Sequence, residues 1–271
     1  MASPRAIEAA ISVDAVVVGS GPNGLTAAAL LARAGLLVTV LEAADEIGGG
    51  VRSAELTAPG LVHDLCSAVH PFGVASPVFR ALGLEEHGLE WIDPPVTLAH
   101  PLDDGTAGVL HRSLDRTADG LGADGDTWRR LFSRSAANLD AIIEDILRPL
   151  LAVPRHPVTT IPFGLRSLLP ASAVARRLVT PQARALWGGM AGHAIAPLTS
   201  AATAGVGLMF GAVAHAKGWP LPRGGSQSIA TALAAVIREA GGTFETGTPV
   251  TSLAQLPEHR LLLLDTSPSA A

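Results

Sequence analysis

The sequence predicts an α/β fold: a mostly parallel, doubly wound sheet interrupted by a long inserted α+β segment. Three observations lead there. A β-branched run is followed within about 30 residues by a glycine turn, an Ala/Leu-rich helix and a second apolar strand, the span of one right-handed βαβ crossover. A helix–strand pattern of the same kind returns beyond residue 225. The stretch between them has a different, proline-cut character.

The elements come in order. Apart from Asp14, Val13–Val18 is apolar and largely β-branched, which suits a strand buried on both faces. Gly19–Gly24 is a turn, and Leu25–Ala34, rich in Ala and Leu, is helical. Gly35 ends that helix, and Leu37–Leu41 is the next strand. From about Ser76 to Lys217, short strands (Leu89–Ile92, Val96–His100, Ala107–Leu110) alternate with helices. Asp126–Leu150 reads as one long amphipathic helix, with Trp128, Phe132, Leu139, Ile142 and Ile146 roughly on one side. Prolines at 154, 157, 162, 170 and 181 cut the next stretch into short helices and loops. Pro220, Pro222, Gly224 and Gly225 mark a boundary, after which Ser226–Ala240 is helical and Thr243–Glu245 and Arg260–Asp265 are strands.

Composition narrows the function classes. Of 271 residues 48% are apolar and 16% charged, which suits a globular chain, and a net charge of −5 gives no electrostatic reason to expect nucleic acid. The single Cys66 excludes an intrachain disulfide, a CxxC redox pair and a cysteine-rich zinc site; it is expected to be a small buried apolar residue. Met1–Ser12 lacks the apolar core of a secretory leader, so the expected location is cytoplasmic. Ala201–Ala216 is apolar but short of the ~20 residues a membrane span needs, and it contains His215.

The chemistry lies in the first 52 residues. Gly19-Ser20-Gly21-Pro22-Asn23-Gly24 is a GxGxxG turn between a buried strand and a helix. Gly19 allows the tight turn, Gly21 lets the main chain approach a pyrophosphate, and Gly24 lets helix and strand pack closely. The free N–H groups and the positive end of the helix dipole hold phosphate charge. Glu42 ends the second strand, 23 positions after Gly19, where a carboxylate accepts hydrogen bonds from both ribose hydroxyls and repels a 2′-phosphate. Gly48-Gly49-Gly50-Val51-Arg52 then offers a second set of bare N–H donors and a positive charge to the same pyrophosphate. An ordinary NAD domain has no use for that turn, so the pattern favours FAD.

DAVVVGSGPNGLTAAALLARAGLLVTVLEAADEIGGGVRS resembles the N-terminus of the FAD-dependent oxidoreductases related to phytoene desaturase, a superfamily that includes amine oxidases and protoporphyrinogen oxidase. GWPLPRGGSQSIATALAAVIREAGGTFETGTPV is similar to the later segment in which that family's chain re-enters its FAD domain. The resemblance implies a Rossmann-like FAD-binding domain with an inserted α+β substrate domain. Residues 1–75 would be the first FAD-binding segment, 76–218 the insertion and 219–271 the second segment, without the family's closing C-terminal FAD segment. It implies FAD contacts from Gly19, Ser20, Gly21, Pro22, Asn23, Gly24, Glu42, Ala43, Gly49, Gly50 and Arg52, and from the main chain of Val250 on a strand passing the adenine. Gly50 stands where many carotenoid desaturases carry arginine. The implied activity is phytoene dehydrogenase-like: hydride transfer from an apolar, isoprenoid-like substrate to flavin, with peripheral membrane contact compatible.

Two alternatives stay open: a truncated, non-catalytic relative with weak nucleotide binding or an interaction role, and an NAD-dependent dehydrogenase in which Gly48–Arg52 is an incidental loop. No catalytic acid or base is assigned. Gly224–Ser228 does not match the GxSxG of a serine hydrolase, the histidines form no HExxH pair, and Asp115, Asp119, Asp124 and Asp126 miss calcium-loop spacing, reading as a solvated loop. His63 and His70 come after the Arg52 turn, in the stretch that by the family likeness approaches the flavin. Trp187, Met190, Met209, Phe210 and Trp219 are candidates either for an apolar cavity or for the core.

Overall fold

Alternation of side chains along Val13–Val18 (β1) lets the strand bury both faces. Ala15 and Val17 join one apolar cluster and Val16 and Val18 another. The computed structural model describes residues 13–149 and 152–267. Met1–Ser12, which carry the expectation about a leader, and Leu150, the expected end of the long helix, lie outside the described residues. The chain divides into two compact units. The first comprises the residues up to Ala68, Val78–Trp91 and those from Pro222 onward; the second comprises Val69–Pro77 and Ile92–Leu221.

In the first unit, Pro22–Arg33 (α1) comes after β1, and Gly35 at φ +87° ends it before Val38–Leu41 (β2). A hairpin of Ser53–Glu55 (β3) and Val62–Asp64 (β4) comes next. After residue 222 the unit resumes with Gln227–Glu239 (α2), Thr243–Glu245 (β5) and His259–Leu264 (β6). The four strands of the main sheet lie in the order β6-β1-β2-β5 and are all parallel, with Val16 level with Thr39 on one side and Leu262 on the other. Alanines 28, 29 and 32 on α1 pack with Ala230, Leu233 and Ile237 of α2 in the cluster that covers one face of the sheet. Small side chains there bring the helices close to the strands. Residues 78–91, expected within the insertion, group instead with this unit, because Leu82, Leu84 and Leu89 are buried in the same cluster.

The second unit is mainly helical, with an antiparallel pair formed by Leu98–Pro101 and Ala107–Leu110. The helix Thr203–Lys217 is apolar on every side, which suits a helix enclosed by its neighbours. Among the described residues, no helix is long and apolar enough to cross a membrane. Trp187 and Met190 are fully buried and belong to the core. Phe210 and Trp219 pack at its margin, edge to face, with His193 stacked on Phe210 at 4.4 Å.

Three expectations need correction. The long helix is two, Gly125–Ala137 and Leu139–Ile146. Asn138 breaks it: its side-chain Nδ2 donates to the Arg134 carbonyl at 2.8 Å and its backbone leaves helical geometry. Cys66 is exposed, since the loop after β4 carries it to the surface. Asp124 is buried rather than solvated. Its carboxylate accepts the N–H groups of Val179 and Thr180 and the Thr180 hydroxyl, so it ties down the start of the helix Pro181–Gly192. Burial raises its pKa, but these bonds outweigh that and hold it below the usual carboxylate range. Asp115, Asp119 and Asp126 all surround Arg129, and no cluster able to hold a metal ion is found among the described residues.

Candidate cofactor-binding site

The carboxyl ends of β1 and β2 lie side by side at the centre of the parallel sheet, and each carries one half of the candidate motif. Gly19 turns out of β1 at φ +99°, a conformation that excludes most side chains, and its N–H donates to the Leu41 carbonyl at 2.8 Å. Gly21 is the N-cap of α1, and Pro22 opens the helix without an N–H of its own. Asn23 is exposed beside it. A Cβ on Gly24 would come within 2.7 Å of the Gly19 carbonyl oxygen, so the helix leaves the turn through a gap only glycine fits.

The second glycine turn rests on the first. Gly48, at φ +123°, donates its N–H to both the carbonyl (3.0 Å) and the hydroxyl (3.2 Å) oxygen of the fully buried Ser20. Gly49, at φ +52°, packs so closely that a Cβ would lie 2.9 Å from Cα of Gly21. Arg52 folds back and donates from Nε to the Gly49 carbonyl at 3.2 Å. Gln227, at the start of α2, holds the turn from the other side by donating from Nε2 to the Ile47 carbonyl at 3.1 Å. Its Oε1 is a buried acceptor with no hydrogen-bond partner among the described residues, 3.0 Å from where Gly48 would carry a Cβ.

Glu42 faces the first turn. Its Oε2 accepts the N–H of Ser20 at 2.9 Å and also the Ser20 hydroxyl, and its Oε1 accepts the N–H of Ala44 at 2.9 Å. Partial burial raises its pKa. The bonds from Ala44 and Ser20, together with the charge of Arg52, outweigh that and hold it below the usual range, so it is anionic at neutral pH.

The structure thus brings together Gly19, Ser20, Gly21, Pro22, Asn23, Gly24, Glu42, Gly49 and Arg52. Ala43 comes directly after Glu42 and is exposed. Gly50 is exposed too; its carbonyl accepts from Ser67 N, and Cys66 Sγ is the nearest atom to its would-be Cβ, at 4.0 Å. Val250 is not on a strand, a correction to the expectation. The segment after β5 leaves the ladder at Thr246, and Thr248 N–H caps the Glu42 carbonyl at 2.8 Å. Val250 then packs beside Val16, Val18 and Leu41 on the second sheet face.

Sequence reasoning missed two features. Asp64 accepts from the Ser53 hydroxyl (2.7 Å) and from Ser226 N (2.7 Å), and Ser53 in turn accepts from Gln227 N (3.0 Å). This ties the hairpin to the start of α2. Asp265, just beyond β6, accepts the Gly24 N–H at 2.9 Å. The only signal for it in the sequence is a carboxylate closing an apolar strand, as Glu42 does.

Residues 17–82 match the NAD(P)-binding Rossmann-like domain family. A limonene dehydrogenase subunit of Castellaniella defragrans is 37% identical over 123 residues, 45% of this chain and 21% of the relative. Hydroxyneurosporene desaturase of Cereibacter sphaeroides is 31% identical over 139 residues, 49% of this chain and 28% of the relative. Residues 17–82 thus carry that Rossmann-like domain, and the longer matched stretches are similar to a dehydrogenase subunit and a desaturase. Among solved structures, a putrescine oxidase redesigned in its cofactor binding shares the fold, with a TM-score of 0.53 at 19% identity over 88% of this chain and 51% of the oxidase. The aligned stretches are well under two thirds of each relative's own length. FAD is the cofactor that the resemblance read from the sequence implies. The residues present fit its adenosine diphosphate half: two turns that a Cβ would obstruct, an anionic Glu42 beside them, and an orphaned acceptor at Gly48.

Proposed function

We propose that this chain holds the adenosine diphosphate half of FAD in the angle between its two glycine turns. We propose further that the protein it belongs to passes a hydride from an apolar, isoprenoid-like substrate to the flavin. When bound, FAD supplies the hydride acceptor. The chain's own residues bind and orient it. The N–H groups at the start of α1 and at Gly49 face the pyrophosphate, Arg52 adds positive charge, and Glu42 accepts the ribose hydroxyls in place of part of its bonding to Ser20.

One observation carries this reading: the second glycine turn is packed against Gly21 and bonded to Ser20, so both sets of bare amides lie beside the same carboxylate. The finer substrate reading draws support from relatives whose names specify limonene, an apolar hydrocarbon, and hydroxyneurosporene. The mainly helical second unit is the proposed substrate domain, and its apolar interior suits such a partner. No acid or base is assigned, because hydride removal from a hydrocarbon places its chemical demand on the flavin.

Titration with FAD and with NAD, read by flavin fluorescence and by thermal shift, tests the reading. FAD is expected to bind and to raise the melting temperature, with NAD the weaker ligand. Protein that stays colourless and unshifted with excess FAD would overturn it.

A further inference from the structure

The space opened by the glycines of the first turn is not left to the cofactor alone. A Cβ on Gly21 would lie 2.6 Å from Oδ2 of Asp265, and one on Gly24 would lie 2.8 Å from both Cβ and Oδ2 of the same residue. The Gly24 N–H, one of the first-turn donors of α1, already donates to that oxygen at 2.9 Å. Asp265 is carried there by the ladder: its own N–H donates to the Val18 carbonyl at 2.7 Å, continuing the pairing of β6 with β1. A carboxylate therefore sits against the second and third glycines, at the positive end of the helix, where a pyrophosphate is expected to approach.

We propose that Asp265 is a cofactor-gating residue, whose carboxylate satisfies the phosphate-binding turn until a nucleotide diphosphate displaces it. This rests on the reading of the site as an FAD site. Two anions at one helix end repel each other, so the carboxylate weakens phosphate binding while leaving the ribose and adenine contacts untouched. The gate is local: it acts on the phosphates and not on the nucleoside.

The test compares the unaltered chain with Asp265→Asn and Asp265→Ser, titrated with FAD, ADP and adenosine and followed by calorimetry. Serine keeps an acceptor for the Gly24 N–H without the charge, so it retains a helix cap if asparagine disturbs the fold. ADP and FAD are expected to bind both variants about tenfold more tightly, with adenosine unchanged. A residue acting only as a structural cap would instead lower all three affinities together, along with the melting temperature. If the unaltered chain binds FAD but the variants bind ADP no more tightly, the gate is refuted and the FAD reading survives. If neither chain binds FAD or ADP, both fall. Should both variants fail to fold, the unaltered chain still decides. ADP, but not adenosine, is expected to shift the Gly24 amide and Asp265 carboxyl resonances, and an unmoved Asp265 signal in the ADP complex would overturn the proposal.

Discussion

A methyl group at Gly49 would meet Cα of Gly21 at 2.9 Å, on a residue whose φ of +52° already disfavours a side chain. Gly49→Ala is therefore expected to spread the two turns, cost about 1–3 kcal/mol of stability and weaken FAD binding at least about tenfold. Denaturant melts and fluorescence titration measure the two effects separately. Glu42→Ala removes the proposed ribose acceptor and leaves the Ser20 N–H without its partner. FAD, ADP and adenosine should all lose affinity, by about tenfold or more, because all three carry the ribose. Equal binding by wild type and variant would place the ribose elsewhere. At this scale the placement of the GxGxxG turn, Glu42 and the Gly48–Arg52 run around one cleft was legible in the sequence, since each is a residue type at a fixed offset from its neighbours. Asp265 was not: its partner Gly24 lies 241 positions away, and no local pattern announces a contact made through a strand ladder. The exposure of Cys66 was illegible for a like reason, being set by where the loop after β4 emerges.

The pairing of Trp128 with His215 links two helices of the second unit, the indole N–H donating to Nε2 at 3.0 Å. His215 must therefore be neutral, and burial lowers its pKa from 6.5 to about 4. The unfolded chain takes up a proton near pH 6.5 and the folded chain resists it, so stability present above that pH is lost as pH falls towards 4. The expected loss is about 3 kcal/mol across that window, read from urea melts at pH 7 and pH 4.5, and it should shrink in His215→Leu. On the helix Thr203–Lys217, Gly211 faces the Phe132 ring so closely that a Cβ would overlap it. Gly211→Ala is expected to destabilise by about 2 kcal/mol although alanine is the better helix former, a sign that denaturant melts would settle. Most helices and the parallel strands could be placed from periodicity and punctuation. The break at Asn138 could not, because its side chain competes for a carbonyl only once the helix exists.

In the whole molecule, the two glycine turns, Glu42 and the tied start of α2 all belong to one unit, built from separated parts of the chain. Within that unit Arg223 N donates to the Glu90 carbonyl at 2.8 Å and the two side chains form an ion pair at 2.7 Å, so the borders of the intervening segment are adjacent. Replacing residues 92–221 by a short glycine–serine linker is expected to leave a folded chain that still binds ADP, measured by calorimetry. Loss of binding in a folded excision variant would show that the insertion contributes to the nucleotide site. The return of the chain to its first fold after a long excursion was legible from the second helix–strand pattern. The allegiance of residues 78–91 was not, because it depends on which apolar cluster their leucines join. The strand order has a consequence for synthesis. Val13 is level with His259, so β1 gains one of its two neighbours only after the long intervening segment and the strand at residue 259 have been translated. While the ribosome is still working, the first βαβ turn waits with an open strand edge, a surface that invites chaperones or mispairing. Assembly of the four-stranded sheet is thereby postponed until the segment after residue 221 has been made.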